Sequence, residues 1–253
     1  MSQTQIYDKI VSARAEHRKL FAVLIDPDKF DPAASKQMII NALEAKVDFF
    51  FIGGSLLVSN QLEECILAIK SMCNTPVILF PGSIHQISSE ADAILLLSLI
   101  SGRNPELLIG NHVIAAPNLK KSGLEILSTG YMLIDGGRPT TVSYISNTLP
   151  IPADKPDIAA CTAMAGEMLG MKLIFMDAGS GAQRCITEQM VSEVRKYTNI
   201  PILTGGGIRT ADQAAKLARA GADLIVVGNI LETDPLLVRD IAAAIHQVQP
   251  TIA

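Results

Sequence analysis

The sequence predicts a single (β/α)8 barrel, the TIM-barrel fold, over residues 1–253. The chain length suits one such barrel. Short apolar segments alternate with longer amphipathic segments from one end to the other, a pattern typical of repeated βα units on a parallel sheet. Two glycine-rich segments follow the last two apolar segments, where barrels of this kind commonly bind phosphate. We therefore expect a phosphate site at the C-terminal rim of the barrel.

Eight apolar segments have the length and composition of buried strands. They are residues 21–25, 47–52, 76–80, 92–97, 129–134, 172–176, 201–204 and 224–227. An open doubly wound sheet is the alternative arrangement of such units. Eight units with both glycine-rich turns near the end of the chain favour the closed barrel.

Amphipathic segments between the strands predict the helices. A helix over residues 6–17 precedes the first strand and would cover the bottom of the barrel. The later helices are residues 32–45, 56–72, 157–169, 186–197 and 210–220. Thr210 is the expected N-cap of the last helix, and Gly221 its stop signal. Residues 98–128 show no clear pattern, and residues 136–156, rich in Gly, Pro, Ser and Thr, predict a long binding loop.

Composition and charge exclude several classes of protein. Hydrophobic residues make up 49% of the chain, enough for a large core without disulfides or structural metals. A net charge of −4 and a pI near 5.6 argue against a nucleic-acid partner. The first residues do not resemble a signal peptide and the apolar runs are strand-sized, so we expect a cytoplasmic enzyme. Four scattered cysteines and four scattered histidines do not support a zinc site or a Ser-His-Asp triad.

The strongest chemical motif is Thr204-Gly-Gly-Gly-Ile-Arg, which is followed one βα unit later by Gly228-Asn229. Gly206 and Gly207 allow backbone N–H groups to come close to an anion, because no Cβ stands in the way. Either cluster alone could be a tight turn. Together, at the ends of the seventh and eighth strands, they predict a phosphate site.

The sixth strand ends in Phe175-Met-Asp-Ala-Gly-Ser-Gly. Its Gly-Ser-Gly can add backbone and hydroxyl donors to the same phosphate, although Ser180 could also be a helix cap. Asp177 is a carboxylate at the end of an otherwise apolar strand. We therefore expect Asp177 to contact a substrate hydroxyl as a general base.

A metal site is expected on the other side of the rim. The first strand ends in Ile25-Asp-Pro-Asp-Lys and the second in Gly53-Gly-Ser. Asp26 and Ser55 supply hard oxygen ligands for Mg²⁺, which keeps several waters, and Lys29 supplies a positive charge for a diphosphate. Both segments are also ordinary turn sequences, so a site without metal is the alternative.

In combination these motifs resemble the geranylgeranylglyceryl phosphate synthase family, which is related to the heptaprenylglyceryl phosphate synthases. The resemblance extends over almost the whole chain and includes Leu24-Ile-Asp-Pro-Asp-Lys, Gly53-Gly-Ser, residues 137–152, Ala178-Gly-Ser-Gly-Ala, Gly205-Gly-Gly-Ile-Arg and Val227-Gly-Asn. It implies a prenyltransferase that joins sn-glycerol 1-phosphate to geranylgeranyl diphosphate or a similar prenyl diphosphate, forming an ether-linked lipid precursor. It also implies a dimer or hexamer, and contact with a membrane surface through the lipid product.

The resemblance assigns roles to particular residues. Mg²⁺ would be held by Asp26 and Ser55, and Lys29 and Asp177 would be catalytic. The glycerol phosphate would be bound by Phe175, Met176, Asp177, Ala178, Gly179, Ser180, Gly181, Gly206, Gly207, Gly228 and Asn229. Two positions depart from the family's usual Tyr-Leu-Glu-Ala-Gly-Ser-Gly, because this chain has Phe175 for the tyrosine and Asp177 for the glutamate.

Two other functions share part of this pattern. A phosphate-binding barrel isomerase or lyase would have the same glycine-rich turns but would not need the Asp26 and Ser55 pair or an apolar groove. A non-catalytic barrel that binds phosphometabolites or lipid would tolerate the two departures from the family sequence.

Overall fold

A computed structural model of the protein describes residues 5–248, apart from the side chains of residues 33 and 34, and shows eight parallel strands closed into a barrel. Neighbouring strands pair in sequence order, and the first pairs with the last. The strands are β1 Leu20–Ile25, β2 Phe49–Ile52, β3 Val77–Leu79, β4 Ala93–Leu99, β5 Glu125–Leu133, β6 Leu173–Asp177, β7 Ile202–Gly205 and β8 Leu224–Val227. The predicted (β/α)8 barrel is confirmed.

Helices cover the outside of this barrel and its amino-terminal end. They are α1 Gln5–Ala15, α2 Pro32–Glu44, α3 Leu62–Met72, α4 Asn111–Ser122, α5 Thr141–Ser146, α6 Pro156–Met168, α7 Glu188–Tyr197, α8 Ala211–Arg219, α9 Asn229–Thr233 and α10 Leu237–His246. A short 3-10 turn, Pro27–Lys29, follows β1, and a π-helical turn, Glu106–Gly110, precedes α4. Within residues 5–248, no helix is long and apolar enough to cross a membrane.

Two hydrophobic layers result from the alternation of side chains along each strand. In β6, Leu173 and Phe175 pack inside the barrel, whereas Ile174 and Met176 pack between the barrel and the helices. The next inward position is Asp177, at the carboxyl end of the strand. Strand periodicity therefore places this carboxylate inside the mouth of the barrel.

Helix α1 closes the amino-terminal end of the barrel, as expected. Ile6, Ile10 and Ala13 pack on the inner layer. The buried carboxylate of Glu125 accepts hydrogen bonds from the backbone N–H groups of Ile6 and Tyr7, at 2.8 and 2.9 Å. These N–H groups are at the start of the helix, where an anion is favoured by the helix dipole.

Several boundaries differ from the prediction. Strand β5 begins at Glu125, four residues before the predicted start, because its middle is small and polar and does not show an apolar pattern. Residues 56–61 are not part of α3. Helices α4, α9 and α10 were not predicted. Both predicted ends of α8 are confirmed, since the Thr210 hydroxyl at its start accepts from Gln213 N and Gly221 after its end has a left-handed φ of 122°.

The segment after β5 is more ordered than the long loop that was predicted. It contains α5, which begins after Thr140, and the Ser143 hydroxyl accepts a hydrogen bond from Thr140 N at 3.0 Å. A bridge between Ile134 and Ile151 holds its two ends together. The segment is therefore a fixed wall at the mouth of the barrel.

Candidate active site

A cavity of about 430 Å³ opens at the carboxyl ends of the strands. Its polar part is formed by the loops after β1, β2, β6, β7 and β8. Apolar side chains of β4, α4, α5 and the neighbouring loops line the rest of the cavity, and we call this part the apolar arm. The arm is lined by Ile84, Ile87, Leu95, Leu97, Leu107, Ala115, Leu119, Val142 and Ile145. The cavity thus offers one polar and one apolar environment in direct continuity.

The predicted phosphate loops lie together in the polar part. Gly206 and Gly207 have left-handed φ values of 80° and 69°. A Cβ on Gly206 would lie 2.6 Å from Asp177 Oδ1, and one on Gly207 would lie 2.5 Å from the Arg184 carbonyl oxygen. Both the backbone conformation and the available space therefore require glycine here. 

The loops after β6 and β8 are joined by a side-chain hydrogen bond. The Ser180 hydroxyl donates to Asn229 Oδ1 at 3.0 Å, and both residues line the cavity beside Gly181 and Gly228. Because both side chains are exposed, a ligand oxygen can accept a hydrogen bond from Ser180 in place of Asn229 or in addition to it. The structure thus brings the three predicted glycine clusters to one wall.

Asp177 lies at the bottom of the polar part and is 7% exposed. Its Oδ2 accepts from the Tyr131 hydroxyl at 2.6 Å, and its Oδ1 accepts from Gly179 N at 2.7 Å. Burial raises the pKa of Asp177 above the usual range, although both hydrogen bonds lower it in part. Burial, with the Asp177 charge, also raises the pKa of Tyr131 well above 10, so the phenol remains a donor. A carboxylate with raised proton affinity is suited to general base catalysis.

Phe175 forms the apolar floor next to this carboxylate. Its ring stacks on Phe80 at 5.0 Å between centroids and meets Tyr131 edge-on at 5.8 Å. It is 1% exposed, and its ring atoms lie 3.2 to 3.3 Å from the position of a Cβ on Gly205. The ring therefore packs at Gly205, where the glycine-rich turn after β7 begins, whereas the Asp177 carboxylate lies against Gly206 in the same turn.

Asp26 and Ser55 line the same cavity, as the metal hypothesis requires. Asp26 is the N-cap of the 3-10 turn, with its Oδ1 accepting from Asp28 N at 3.1 Å. The position of a Cβ on Gly54, next to Ser55, is 3.7 Å from Asp26 Oδ1. Among the described residues no cluster of three or more His, Cys, Asp or Glu side chains could hold a metal. One carboxylate and one hydroxyl nevertheless fit Mg²⁺ that keeps water and substrate oxygens as its other ligands.

Lys29 is placed less directly than the prediction assumed. Its ammonium group bonds to both carboxylate oxygens of Glu232, at 3.0 and 3.1 Å, and lies 3.7 Å from Asp26 Oδ2. Burial alone would lower its pKa, but Glu232 and Asp26 raise it, so the group stays charged. The cation is at the edge of the cavity and is shared between two carboxylates.

Two residues that were predicted to bind the substrate, Met176 and Ala178, do not line the cavity, and their part in binding stays a prediction. Met176 and Ala178 are buried in the layer between the barrel and the helices, because strand alternation turns them outward. Gly179 uses its N–H group to bond Asp177. The remaining predicted residues of this wall line the cavity: Phe175, Asp177, Ser180, Gly181, Gly206, Gly207, Gly228 and Asn229.

Sequence reasoning missed Tyr131 and Arg138, and it expected an apolar groove without naming the residues that form it. Tyr131 pairs with Phe175 in the register of β5 and β6, two residues before the pair Leu133 and Asp177. Residues two apart on a strand share a face, so the correct register would have placed the phenol beside the carboxylate. The arm forms between β4 and α4, within the stretch where no pattern was visible.

Fold and site together define a (β/α)8-barrel enzyme with phosphate-type loops after its last three strands. The chain belongs to the PcrB family, whose model matches residues 13–248. The resemblance inferred from the motifs is confirmed. The chain is 58% identical to "Geranylgeranylglyceryl phosphate synthase" of Chitinophaga pinensis over 248 residues, which are 98% of each chain.

Solved structures agree with this assignment. The structure of (S)-3-O-geranylgeranylglyceryl phosphate synthase from Thermoplasma acidophilum, in complex with sn-glycerol-1-phosphate, is similar with a TM-score of 0.90 and 33% identity, and covers 96% of this chain and 99% of that one. Tryptophan synthase from Mycobacterium tuberculosis matches with a TM-score of 0.61 and 15% identity, over 98% of this chain and 99% of that one. The second similarity shows the fold alone.

Proposed function

We propose that the protein is a Mg²⁺-dependent prenyltransferase that joins sn-glycerol 1-phosphate to geranylgeranyl diphosphate or a similar long prenyl diphosphate. The product is an ether-linked prenylglyceryl phosphate, a precursor for phospholipid synthesis. The observation that carries the proposal is the two-part cavity. The buried carboxylate of Asp177 lines this cavity. The glycine-rich loops of the polar part suit a phosphate, and the apolar side chains of the arm suit a prenyl chain.

The polar part accounts for the acceptor substrate. The phosphate is bound by the backbone of Gly206 and Gly207, by the loop at Gly228 and Asn229, and by the Ser180 hydroxyl. With the phosphate at this wall, the glycerol hydroxyl at the other end of the molecule extends toward Asp177. Support comes from the relative that was solved with sn-glycerol-1-phosphate.

The apolar arm accounts for the donor substrate. Its walls are Leu, Ile, Val and Ala side chains, which gain free energy by covering a hydrocarbon chain. His112 also lines the cavity, and its Nε2 lies 3.1 Å from the buried Ser98 hydroxyl. Burial lowers the pKa of His112, so the ring is neutral near pH 7 and adds no charge to the arm.

The metal would be held by Asp26 and Ser55 and would supply positive charge to the diphosphate as it leaves. Lys29 adds a second positive charge at the same edge of the cavity. Asp26 also lies 3.7 Å from the Lys29 ammonium group, so the same carboxylate would position both the metal and the lysine.

In the reaction, the bond between the allylic carbon and the diphosphate oxygen breaks with both electrons leaving on the diphosphate. The glycerol hydroxyl oxygen forms the new bond to that carbon, and its proton passes to Asp177. Tyr131 and Gly179 hold the two oxygens of Asp177, and each oxygen keeps a lone pair for the hydroxyl. The apolar side chains of Phe175 and of the arm exclude water that would otherwise compete for the allylic cation.

The alternatives explain fewer features. An isomerase or lyase of the tryptophan synthase type shares the fold, but the apolar arm would have no ligand. A non-catalytic lipid-binding barrel would not need a buried carboxylate with a raised pKa. Location in the cytoplasm, assembly into a homo-oligomer and contact of the lipid product with a membrane surface are further parts of the proposal.

The test is a transfer assay with sn-glycerol 1-phosphate and prenyl diphosphates of graded length. We expect product with Mg²⁺, none in excess chelator, and none with Asp26→Ala, because that rim carboxylate serves the metal rather than the core. Ser55→Ala should retain part of the activity, since water can replace one hydroxyl ligand. Full turnover in chelator would contradict the metal assignment, and folded protein without transfer from any donor would favour the non-catalytic barrel.

A further inference from the structure

Arg138 has no role in the function described so far, although its side chain lines the cavity. It follows β5, in the segment that was singled out as a binding loop. Its Nη2 atom lies 3.0 Å from the position that a Cβ on Gly181 would occupy. The guanidinium group is thus in contact distance of the Gly-Ser-Gly loop after β6, which forms one side of the proposed phosphate site.

The backbone that carries Arg138 is held firmly in place. The Asp135 carboxylate accepts from Gly137 N at 2.8 Å, and the Gly136 carbonyl accepts from Gln183 N and Arg184 N, at 2.9 Å each. A Cβ on Gly179 would lie 2.6 Å from the Thr140 hydroxyl oxygen, so the loops after β5 and β6 are in close contact. The guanidinium is presented by a preorganised loop, which reduces the entropy lost when a ligand binds.

The charges around the cavity set Arg138 apart. Lys29 is paired with Glu232, and Arg184 lies 3.7 Å from Asp135. Arg209 donates to the Ala182 carbonyl at 3.0 Å. Within residues 5–248, no hydrogen bond or ion pair joins Arg138 to a protein group. An exposed guanidinium on an ordered backbone, with no carboxylate partner among the described residues and next to donors that suit a phosphate, is placed to bind an anion.

We propose that Arg138 binds the phosphate of sn-glycerol 1-phosphate, an inference that rests on the proposed function. The planar guanidinium donates two parallel N–H bonds to two phosphate oxygens, while Ser180 and the backbone of Gly206 and Gly207 bind the others. The loop after β5 then contributes to both substrates, because Val142 and Ile145 of α5 line the apolar arm. Arg138 is a binding residue for the acceptor and takes no part in bond breaking.

The test is calorimetric titration of sn-glycerol 1-phosphate into the wild-type protein and three variants, without a prenyl donor. Arg138→Gln should weaken binding about 10- to 100-fold, the range for hydrogen bonds to charged groups. Arg138→Lys should recover part of the affinity, because it restores the charge but not the fork. Arg184→Gln is the matched control, since it removes a neighbouring guanidinium that does not line the cavity, and it should change affinity less than about twofold.

The outcomes separate this inference from the proposed function. If the wild type and Arg138→Gln bind sn-glycerol 1-phosphate equally, and both melt at the same temperature, the inference is wrong and the proposed function stands. If Arg184→Gln weakens binding as much as Arg138→Gln, the effect is one of general charge and the inference is also wrong. If the folded wild type does not bind sn-glycerol 1-phosphate, the proposed function fails and the inference fails with it.

Discussion

Asp177 and Asp223 are both buried carboxylates, exposed by 7% and 5%, but they lie at opposite ends of the barrel and have different partners. Asp223, just before β8, accepts from Arg195 Nη2 and from Ile202 N, each at 2.8 Å. Arg14 and Lys19 add positive charge at 3.7 and 3.9 Å. Asp177, at the end of β6, accepts from two neutral donors in the described part of the chain, a phenol and a backbone N–H.

The difference shows what each end of the barrel is for. At the amino-terminal end, cations from α1, from α7 and from Lys19 just before β1 neutralise the carboxylate, so the site is complete and ties those elements together. At the carboxyl end no cation of residues 5–248 pairs with the carboxylate, and burial raises the pKa of Asp177. A positive charge that develops on the substrate would fill that place, which is how electrostatic preorganisation assists catalysis.

The largest expected effect is that of Asp177→Asn on turnover. An amide cannot take the proton of the glycerol hydroxyl, so kcat should fall about 10²- to 10⁴-fold, the usual contribution of a general base. The amide keeps the geometry, because its oxygen can accept from Gly179 N and its NH2 can donate to the Tyr131 oxygen. Steady-state kinetics on folded protein measures the loss, and a kcat within threefold of the wild type would assign the base to another residue.

The same variant tests how much the buried, unpaired charge of Asp177 reduces the stability of the folded protein. Because the folded-state pKa of Asp177 is raised, its ionisation makes folding less favourable as pH rises from the unfolded value through the folded one. Asp177→Asn removes this loss. Its melting temperature should equal or exceed that of the wild type at pH 7, and the difference should disappear below the pKa of an unfolded aspartate. If Asp177→Asn is less stable than the wild type at pH 7 but equally stable at acid pH, the raised pKa of Asp177 is contradicted.

At the other end, Asp223→Ala should reduce stability and leave the chemistry unchanged. Removing the carboxylate leaves Arg195, itself mostly buried, without its ion pair, and such losses amount to about 3–5 kcal/mol. The free energy of unfolding, from denaturant titration, should fall by roughly this amount. Activity per folded molecule at low temperature should match the wild type, and a change in KM would show that the two ends are coupled.

The barrel, its strand order and most of the rim motifs could be predicted because they depend on local patterns. Alternation along β6 predicts a carboxylate at its mouth, and glycine clusters after β7 and β8 predict close backbone approach. The partners of these residues could not be predicted, because they depend on the stagger of distant strands. Tyr131 is 46 residues from Asp177, and Glu232 is 203 residues from Lys29. Arg138 stands out only once the carboxylate partners of its neighbours are known.

Tyr131→Phe should have an intermediate effect, through Asp177. Losing the phenol removes a hydrogen bond that lowers the pKa of Asp177, so that pKa rises further. The acid limb of the kcat profile should therefore move to higher pH, and a move of one unit would correspond to about 1.4 kcal/mol. The aromatic contacts with Phe80 and Phe175 are retained. Lower kcat with an unchanged pH profile would mean that the phenol acts on the substrate rather than on the carboxylate.

The smallest effect is expected from Phe175→Tyr, which restores the family's usual residue on the apolar floor next to Asp177. The new hydroxyl would extend from the ring edge near Gly205, toward the glycine-rich turn after β7. One added hydrogen bond is worth about 0.5–1.5 kcal/mol, so affinity for sn-glycerol 1-phosphate should rise by at most roughly tenfold. Turnover should change less, because the bond would be present in both the ground state and the transition state.

Phe80 limits this gain in affinity, since its ring, stacked on Phe175 at 5.0 Å, must tolerate the more polar neighbour. Calorimetry on the wild type and the variant measures the change in affinity. Tighter binding would place the phosphate beside this turn, whereas weaker binding with an unchanged melting temperature would show that this chain's pocket has closed around the phenylalanine ring.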